Sequence, residues 1–351
     1  MRCNFCEWRC KMPASVCHMY EERDGRIEEI YPNQWTTYYI TNSEGIPLFH
    51  GWPNHQFLQL GAFNCNASCA YCINARVAIE PESKTFLFHL APERVVRIAQ
   101  KASCSGIHFS VNEVTVNLPS ALAVAREAKK QGLIVGCSSN GYFTKAAADM
   151  MLEYFDFFNI SLKSLSDDYY RKHAGLKSAA PVMRNIEYLA SRTHLEVTTT
   201  VVQTVNDHEI PIIAEFLAAV DPQMPWHIFR LLPEYKMEDR QPPDIEEISG
   251  RVKQCRDILP NTYFSNYIGT QLINTLCPSC AAVLVERICA QSCGVTLSGY
   301  NMKGSICPNC GAEGSGCHRS CRSFLWLHHS WGKYSPSCCS QRVFALTVVQ
   351  L

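Results

Sequence analysis

The stretch Cys65-Asn-Ala-Ser-Cys69-Ala-Tyr71-Cys72 decides how this chain is organised. It follows an apolar run over residues 57–63 that has the composition of a β-strand. Three cysteines at the spacing CxxxCxxC can hold, as thiolates, three of the four irons of a cubane [4Fe–4S] cluster. The fourth iron then has no protein ligand and is open to a small molecule. Zinc binding or a purely structural role is the alternative for the three cysteines.

The incomplete ligand set indicates chemistry, because a cluster used only for electron transfer usually has four protein ligands. Beside a suitable pocket, such a cluster can bind S-adenosylmethionine (SAM) through its amino and carboxylate groups. One electron from the reduced cluster can then cleave the sulfonium to a 5′-deoxyadenosyl radical. At these residues the sequence resembles the radical SAM superfamily. We count Tyr71, next to the third cysteine, among the SAM-contacting candidates.

Length and composition bound the class of protein. With 351 residues and 47% hydrophobic content, the chain can form one domain of barrel size with small appendages. Its 32 basic and 32 acidic residues cancel, so nothing indicates nucleic-acid binding or electrostatic membrane recruitment. No signal region and no run of about 18 apolar residues occurs. We therefore expect a cytoplasmic protein with neither nucleic acid nor membrane as a partner.

The 20 cysteines fall mostly into groups, which in a reducing compartment favours metal sites over disulfides. The first group lies within residues 3–17 and comprises Cys3, Cys6, Cys10 and Cys17. Four thiolates so close in sequence match a site for zinc or for a second iron–sulfur cluster, with free thiols as the alternative. Residues 1–55 are predicted to form a Cys-rich and β-rich cap. The isolated Cys104, Cys137 and Cys255 are expected to be small core residues.

Strands and helices alternate over residues 56–270, the predicted central domain. The expected strands cover residues 56–63, 106–111, 133–138, 157–162, 195–202 and 225–231. The expected helices cover residues 92–103, 119–131, 144–153, 180–192, 208–220 and 244–259. Six such repeats predict an α/β fold, a partial (β/α)6 barrel with a parallel sheet and helices outside. In such barrels the active site lies at the carboxyl ends of the strands, where Cys65 would be.

Polar residues follow the second and third predicted strands. The carboxylate of Glu113 and the amide of Asn112 can receive the SAM ammonium group, and a helix cap is the alternative. After the third strand, Ser139 and Asn140 form a polar turn that can contact the SAM ribose or carboxylate. A plain strand-to-helix turn is the alternative there.

Three further positions complete the strand ends. Lys163 follows the fourth strand, where an unpaired lysine does not belong in a core and suits a carboxylate. His227 lies on the sixth strand and is either a SAM contact or a hydrogen-bonded core histidine. Asn206 and Glu209 have the spacing of a capping box, which predicts a structural role.

The last part of the chain contains two CPxC knuckles, typical of a zinc ribbon or a rubredoxin. Residues 271–313 are therefore predicted to form a structural four-thiolate module for zinc or iron, with the ligands Cys277, Cys280, Cys307 and Cys310. Cys289 and Cys293 lie between the knuckles and are competing ligands. Residues 314–351 contain no Asp or Glu and no clear amphipathic period, so we expect a tail that is disordered or unrelated to the preceding domain.

Taken in order over roughly residues 1–314, these motifs are similar to the pyruvate formate-lyase-activating-enzyme-like branch of radical SAM proteins. The chain resembles more closely the AmmeMemoRadiSam system radical SAM enzymes. The resemblance implies a partial barrel, a SAM-chelated [4Fe–4S] cluster on the three loop cysteines, and SAM contacts near Asn112, Glu113, Lys163 and His227. It also implies an oxidoreductase supplied by a reductant such as flavodoxin or ferredoxin, with a protein as a candidate substrate.

The chain departs from this branch at several motif positions. Ser161 stands where the branch usually has Asp, so we do not carry over the cation site to which that Asp belongs. Val114 replaces a proline and Ile73 a glutamine. The leading hypothesis is hydrogen abstraction, including activation of a glycyl radical enzyme. The alternatives are radical modification of another protein or of a small molecule, and a non-catalytic iron–sulfur or zinc scaffold.

Overall fold

A computed structural model describes residues 1–80, 87–290 and 294–314 of the chain. Its strands are β1 (Tyr20–Arg23), β2 (Arg26–Glu29), β3 (Gln34–Trp35), β4 (Thr37–Asn42), β5 (Gln56–Gly61), β6 (Phe88–His89), β7 (Gly106–Phe109), β8 (Ile134–Ser139), β9 (Phe157–Ser161), β10 (His194–Val201), β11 (Trp226–Arg230), β12 (Thr262–Ser265), β13 (Thr275–Leu276), β14 (Val283–Ile288) and β15 (Thr296–Tyr300). The predicted tail falls outside these described residues, apart from Gly314, and so does Cys293.

The α-helices are α1 (Ala75–Ala78), α2 (Pro92–Lys101), α3 (Leu118–Lys130), α4 (Lys145–Leu152), α5 (Asp167–Tyr169), α6 (Ala180–Ala190), α7 (Ile210–Val220) and α8 (Ile245–Cys255). Helix α5 continues directly into a π-helical turn over Tyr170–Ala174. Four of the long helices have proline in the first turn, where its missing N–H leaves no hydrogen bond unmade. No helix in the described ranges is long and apolar enough to cross a membrane.

The main sheet has eight strands in the order β12-β11-β10-β9-β8-β7-β5-β4. All neighbours in it pair in parallel except β4, which runs antiparallel to β5. The alternation of parallel strands with helices confirms the predicted α/β class. Strand β12 is a seventh parallel strand that the sequence analysis did not predict. Because the strands are parallel, their carboxyl ends meet at one edge of the sheet.

Alternate side chains on each strand bury one face of the sheet against the helices. Leu58, Ile107, Val135, Phe158 and Val197 belong to this face, and all are in one large apolar core. The isolated cysteines Cys104, Cys137 and Cys255 lie in the same core, as predicted. Burial of these side chains is the main source of the fold's stability, at roughly 25 cal/mol per Å² of apolar surface.

The opposite face of the sheet is partly polar. Fully buried Glu196 on β10 accepts hydrogen bonds from the backbone N–H groups of Phe49 and His50, at 2.9 and 2.8 Å. His194 and His227 also bond this carboxylate, at 2.9 and 2.6 Å. The buried Glu196 carboxylate therefore attaches the segment before β5 to this polar face of the sheet.

The N-terminal residues are connected to the main sheet as well. Strand β4 lies within the predicted cap but extends the main sheet, and β3 pairs with β6. The β1–β2 hairpin turns at Asp24 and Gly25, both at positive φ (49° and 71°), the conformation of a type I′ turn. Backbone hydrogen bonds of β4 thus make part of the predicted cap continuous with the main sheet.

Strands β13, β14 and β15 form a separate antiparallel sheet that carries the two knuckles. Arg287 on β14 is fully buried, and its guanidinium donates to the carbonyl oxygens of Ile273 (3.0 Å) and Phe49 (2.8 Å). Its carbon Cζ also lies 4.1 Å from the centroid of the Phe49 ring. This arginine connects the C-terminal module to the segment that precedes β5.

Candidate functional site

The cysteine loop begins four residues after β5 and is held in place by backbone hydrogen bonds. The N–H of Ser68 donates to the carbonyl of Ala174 (2.9 Å), and the N–H of Ala70 to that of His173 (2.9 Å). Gly175, at φ 65°, follows this turn, and a Cβ there would lie 1.9 Å from the Ser68 hydroxyl. A side chain here would displace the Ser68 hydroxyl and press on the Ser68 backbone N at 3.2 Å, so glycine favours this close approach of the loop to the turn.

The three loop thiols lie in one electrostatic neighbourhood. Burial and, to a smaller extent, Cys69 raise the pKa of Cys72 to about 11, although Lys163 opposes this shift. Burial also raises the pKa of Cys65 well above its usual range, with contributions from Glu113 and Cys69. Three thiolates gathered in one half-buried loop need a compensating cation, which iron supplies.

The loop sulfurs do not form the close group of ligand atoms that a single metal ion requires. In the described part of the chain, only the C-terminal cysteines bring three or more ligand atoms within 4.8 Å of one another. The Sγ atoms of Cys65, Cys69 and Cys72 therefore do not all lie within 4.8 Å of one another. A cubane carries its thiolates on separate irons and so holds them further apart. The residues present therefore fit a [4Fe–4S] cluster with one iron lacking a protein ligand.

Asn66 and Asn140 form a polar contact beside Cys65. The Asn140 side-chain N–H donates to Asn66 Oδ1 at 2.7 Å, and its nitrogen lies 3.8 Å from the Cys65 sulfur. The backbone N–H of Ala67 also points to that sulfur, at 3.5 Å. These donors favour negative charge at Cys65. Asn140 was predicted at this site, whereas Asn66 was missed because a CxxxCxxC pattern leaves the intervening residue types unspecified.

Glu113 is fully buried and uses both carboxylate oxygens within the protein. It accepts from the N–H and hydroxyl of Thr115 (3.2 and 3.1 Å), the hydroxyl of Ser139 (2.9 Å) and the N–H of Asn140 (2.8 Å). Its side chain caps the short helical turn Val114–Asn117, which was the alternative interpretation of this residue. Glu113 thereby connects the carboxyl ends of β7 and β8. Burial raises its pKa, although the hydrogen bonds from Asn140 and Ser139 oppose this shift.

The side-chain amide of Asn112 is also hydrogen-bonded to backbone groups. Its Oδ1 accepts from the N–H of Ala62 (3.1 Å), and its amide donates to the carbonyls of Phe63 (3.2 Å) and Asn64 (3.0 Å). This side chain therefore fixes the path of the chain from β5 into the cysteine loop. The structure supports a positioning role for Asn112.

Lys163 lies at the end of β9, beside the loop. Its Nζ is 5.7 Å from the centroid of the Tyr71 ring, and no described carboxylate lies within salt-bridge distance of it. Burial opposes its charge, but Cys69 and Tyr170 favour it, so the pKa of Lys163 is raised overall. A half-buried cation without an anion at this position can receive the carboxylate of a bound molecule.

His227 is not brought together with these residues. Its side chain is fully buried, its Nε2 bonds Glu196, and its ring packs on Phe49 (4.5 Å) and Tyr263 (5.5 Å between centroids). Its surroundings match the alternative of a core histidine, and its predicted SAM contact receives no support from them.

The capping-box prediction for Asn206 and Glu209 is wrong in its contacts. Asn206 makes no cap hydrogen bond; it accepts from the N–H of Val202 (2.7 Å) and donates to the carbonyl of Lys163 (2.8 Å). Glu209 accepts instead from the hydroxyl of Ser164, at 2.7 Å. The tertiary contacts with the turn after β9 replace the local ones. Both residues are structural, and they hold the turn that carries Lys163.

The four knuckle cysteines form a second candidate metal centre. The Sγ atoms of Cys277 and Cys310 are 3.6 Å apart, and those of Cys280 and Cys307 are 3.7 Å apart. A tetrahedral zinc ion with Zn–S bonds of about 2.3 Å places its sulfurs at about this separation. Cys289, a predicted competitor, is buried in an apolar cluster with Phe49 and Tyr263. The four predicted cysteines therefore assemble a site that can hold a metal ion.

Comparison with known proteins finds similarity in the region that contains the cysteine loop. The sequence profile of the Radical SAM superfamily matches residues 62–217, which include the loop, Glu113, Asn140 and Lys163. An uncharacterised protein of Methanocaldococcus jannaschii is 27% identical over 296 residues, covering 82% of this chain and 87% of the relative. The isethionate sulfite-lyase activating enzyme of Oleidesulfovibrio alaskensis is 30% identical over 149 residues, covering 40% of this chain and 48% of that enzyme.

Among solved structures, a domain of pyruvate-formate lyase-activating enzyme from Bacteroides vulgatus matches with a TM-score of 0.38 and 22% identity. The match covers 46% of this chain and 99% of that domain. The chain spans about half the length of the activating enzyme of Oleidesulfovibrio alaskensis. The superfamily implies SAM and a [4Fe–4S] cluster, the group that the three loop thiols fit. Residues 62–217 of this chain are therefore similar to the Radical SAM superfamily.

Proposed function

We propose that this chain is a radical SAM enzyme that abstracts a hydrogen atom from its substrate. The observation that supports this most is the three-thiol loop with an unpaired lysine beside it at the carboxyl edge of the sheet. A scaffold or electron carrier would be expected to complete the cluster with a fourth protein ligand. When bound and reduced, the cluster supplies the electron that cleaves SAM to a 5′-deoxyadenosyl radical.

The chain's own residues bind and orient these groups. Cys65, Cys69 and Cys72 hold three irons. The Lys163 ammonium receives the SAM carboxylate, and Tyr71 covers the lysine on one side. The contact between Lys163 and a carboxylate would be a charge-assisted hydrogen bond in a partly buried place, which makes it both stronger and more directional than one in water.

The strand-end turns shape the rest of the pocket. Glu113 fixes Ser139 and Asn140 by accepting their hydrogen bonds, so the polar groups of this turn that remain free can contact the SAM ribose or ammonium. Asn112 fixes the entry of the cysteine loop. In this proposal Glu113 and Asn112 act mainly as positioning residues for the SAM site.

An anaerobic assay tests this function. The full chain is reconstituted with iron and sulfide, reduced with dithionite and supplied with SAM, and 5′-deoxyadenosine is measured. Wild type and Cys104→Ala, which changes a core cysteine far from the loop in sequence, should form the product. Cys69→Ala should form none above background. A fully loaded wild-type cluster that forms no deoxyadenosine would refute the enzyme and favour the iron–sulfur scaffold.

We further propose activation of a glycyl radical enzyme as the narrower reaction. Its support is the similarity to the activating enzyme of Oleidesulfovibrio alaskensis over 149 residues. The substrate would then be a backbone glycine of a protein, and a flavodoxin or ferredoxin would supply the electron. Incubation with SAM, reductant and an isethionate sulfite-lyase should produce the EPR doublet of a glycyl radical. SAM cleavage without that doublet would direct the search to another protein or a small molecule.

The C-terminal four-cysteine module is proposed to hold a structural zinc ion. Four thiolates close the coordination shell, so no position is left for substrate.

The domain limits 1–55, 56–270 and 271–313 also remain proposals, with β4 crossing from the first unit into the sheet of the second.

A further inference from the structure

The N-terminal cysteines form a group next to the SAM-cluster loop. Cys3, Cys6 and Cys17 are buried, Cys10 is half-buried, and the chain returns on itself so that the N–H of Cys3 donates to the carbonyl of Cys10 at 2.9 Å. Burial raises the pKa of Cys3, and Cys17 and Cys10 add smaller increases; burial likewise raises the pKa of Cys6, with smaller increases from Cys17 and Cys3. The four thiols are thus close enough to interact through their charges.

These four sulfurs, like those of the loop, do not form the close group that the knuckle sulfurs form. At the C-terminal site the paired sulfurs are 3.6 and 3.7 Å apart, as one tetrahedral ion requires. Neither the N-terminal group nor the loop brings three sulfurs within 4.8 Å in the described residues. Among the described residues, the knuckle thiols are therefore close enough for a single ion, whereas the loop and N-terminal thiols are not.

The cysteine loop also contains a buried donor without a partner. Asn66 is 1% exposed, and its Nδ2 has no hydrogen-bond partner in the described structure. Its side chain is near enough to Cys6 to favour the thiolate there. Its Oδ1 is bound by Asn140, which also approaches Cys65. An orphan amide of this kind is expected to donate to negatively charged sulfur.

The two groups also share a cavity of about 190 Å³. Cys17 and His18 line it from the N-terminal segment, and Cys65 and Asn66 line it from the loop. The backbone of the loop is anchored to the N-terminal segment as well, because Trp8 Nε1 donates to the carbonyl of Asn66 at 2.7 Å. Asn66 therefore links the loop to the N-terminal segment through the hydrogen bond from Trp8.

We propose that Cys3, Cys6, Cys10 and Cys17 bind a second [4Fe–4S] cluster, completely ligated, that passes electrons to the loop cluster. With four protein ligands this cluster has no open iron, so it binds no substrate and serves electron transfer. One electron leaves a reduced flavodoxin or ferredoxin and lowers the N-terminal cluster from the 2+ to the 1+ state. The same electron then reduces the loop cluster from 2+ to 1+, with no bond made or broken. The relay rests on the proposed function, whereas the second cluster does not.

Acid-labile sulfide tests the site without any SAM chemistry. The full chain is reconstituted anaerobically, and iron, sulfide and zinc per chain are measured. Two cubanes predict about eight sulfides in wild type and in the control Cys104→Ala. Cys10→Ser, at the most exposed of the four positions, and Cys17→Ser should each retain about four sulfides, held by the loop. Cys69→Ala should also retain about four, held by the N-terminal group.

The results that would overturn the second cluster differ from those that would refute the proposed function. About four sulfides in wild type, falling to none in Cys69→Ala, would overturn the second cluster. Loss of one zinc per chain from Cys10→Ser would identify the N-terminal group as a zinc site and overturn the proposal as well. Circular dichroism confirms that each variant is folded. A failure of SAM cleavage with about eight sulfides present would refute the proposed function and leave the second cluster standing.

The relay is tested by the choice of reductant. The rate at which the loop cluster is reduced is followed by EPR with reduced flavodoxin and, separately, with dithionite. Cys10→Ser should slow reduction by flavodoxin at least tenfold and change reduction by dithionite little, because a small reductant does not need the N-terminal cluster. Equal flavodoxin rates in wild type and Cys10→Ser would overturn the relay.

Discussion

At the scale of single residues, the sequence shows which side chains matter but not what they contact. Glu113, Ser139 and Asn140 were predicted from their position at strand ends, and the structure joins them in one hydrogen-bonded group. The sequence could not show that both carboxylate oxygens of Glu113 would accept hydrogen bonds from groups within the protein. That depends on the neighbour relation of β7 and β8, a property of the sheet and not of either segment.

Lys163 carries the first prediction. Lys163→Met removes the unpaired cation, so the Kd for SAM should rise about tenfold or more, which corresponds to about 1.4 kcal/mol. Iron and sulfide content should not change, because Lys163 is not a ligand. Equilibrium binding of SAM to the reconstituted protein measures this.

The matched control for Lys163→Met is Lys145→Met. Lys145 also lies over a tyrosine, with Nζ 5.0 Å from the Tyr188 ring, but on α4 away from the loop. The control variant should bind SAM as wild type does. Equal affinities in all three proteins would show that Lys163 does not receive the SAM carboxylate.

At the scale of elements, hydrophobic periodicity and turn residues predict the alternation of strands and helices well. Helix α3 illustrates this, with Pro119 in its first turn and Gly132 just after its end. Strand β12 was missed because it has only four residues and is followed directly by polar Asn266. The pairing of β4 with β5 was also not predicted, because register between strands depends on tertiary contacts that periodicity does not contain.

Gly175 carries a prediction about the loop. Gly175→Ala places a Cβ 1.9 Å from the Ser68 hydroxyl, so the cysteine loop must shift and its iron and sulfide content should fall by half or more. Gly132→Ala is the control, since Gly132 has a similar φ of 71° with nothing within 4 Å of the added Cβ. The control should lose only about 1 kcal/mol of stability and no iron. Equal loading of the two variants would contradict this account of the loop.

His108 carries a prediction about pH. It lies on β7 between Gln59 (3.2 Å) and Ser138 (3.0 Å), and burial lowers its pKa to about 3. The unfolded chain protonates this histidine near pH 6.5. The contribution of neutral His108 to folding stability is therefore fully present above that pH and is lost as the pH falls toward 3. The loss is at most about 1.4 kcal/mol per pH unit for this group.

Urea unfolding of the metal-free chain at pH 7.0 and 5.5 measures the effect of His108. His108→Gln keeps hydrogen-bonding groups but cannot titrate, so its stability should fall less between the two pH values than that of wild type. His50, whose pKa burial lowers to about 3, should preserve part of the acid sensitivity in this variant. An identical pH dependence in both proteins would refute the role of His108.

At the scale of the whole molecule, the C-terminal module and the segment before β5 depend on each other. Arg287 donates to the Phe49 carbonyl, and the Asn42 amide donates to the carbonyl of Val295 at 3.3 Å. The knuckle spacing predicted the four-cysteine site, but no local pattern indicates contacts between residues more than 200 positions apart. Long-range docking of this kind is decided by shape and by buried polar partners.

This dependence predicts that the C-terminal metal stabilises more than its own module. Cys307→Ser should lose one zinc per chain and lower the melting temperature by several degrees, since a structural zinc contributes directly to folding. The sulfide content should stay at the wild-type value, because the loop does not share this site. Thermal unfolding and metal analysis check both results. Unchanged zinc content would show that the knuckles do not hold the ion.

The central claim is that the loop cluster has an open iron that SAM occupies. The most direct measurement is the EPR spectrum of the dithionite-reduced protein with and without SAM, recorded for wild type and for Cys69→Ala. The account predicts that SAM changes the g-values of one reduced cluster in wild type, and that this SAM-sensitive signal is absent from Cys69→Ala. A wild-type spectrum with a fully formed loop cluster that SAM leaves unchanged would contradict the account.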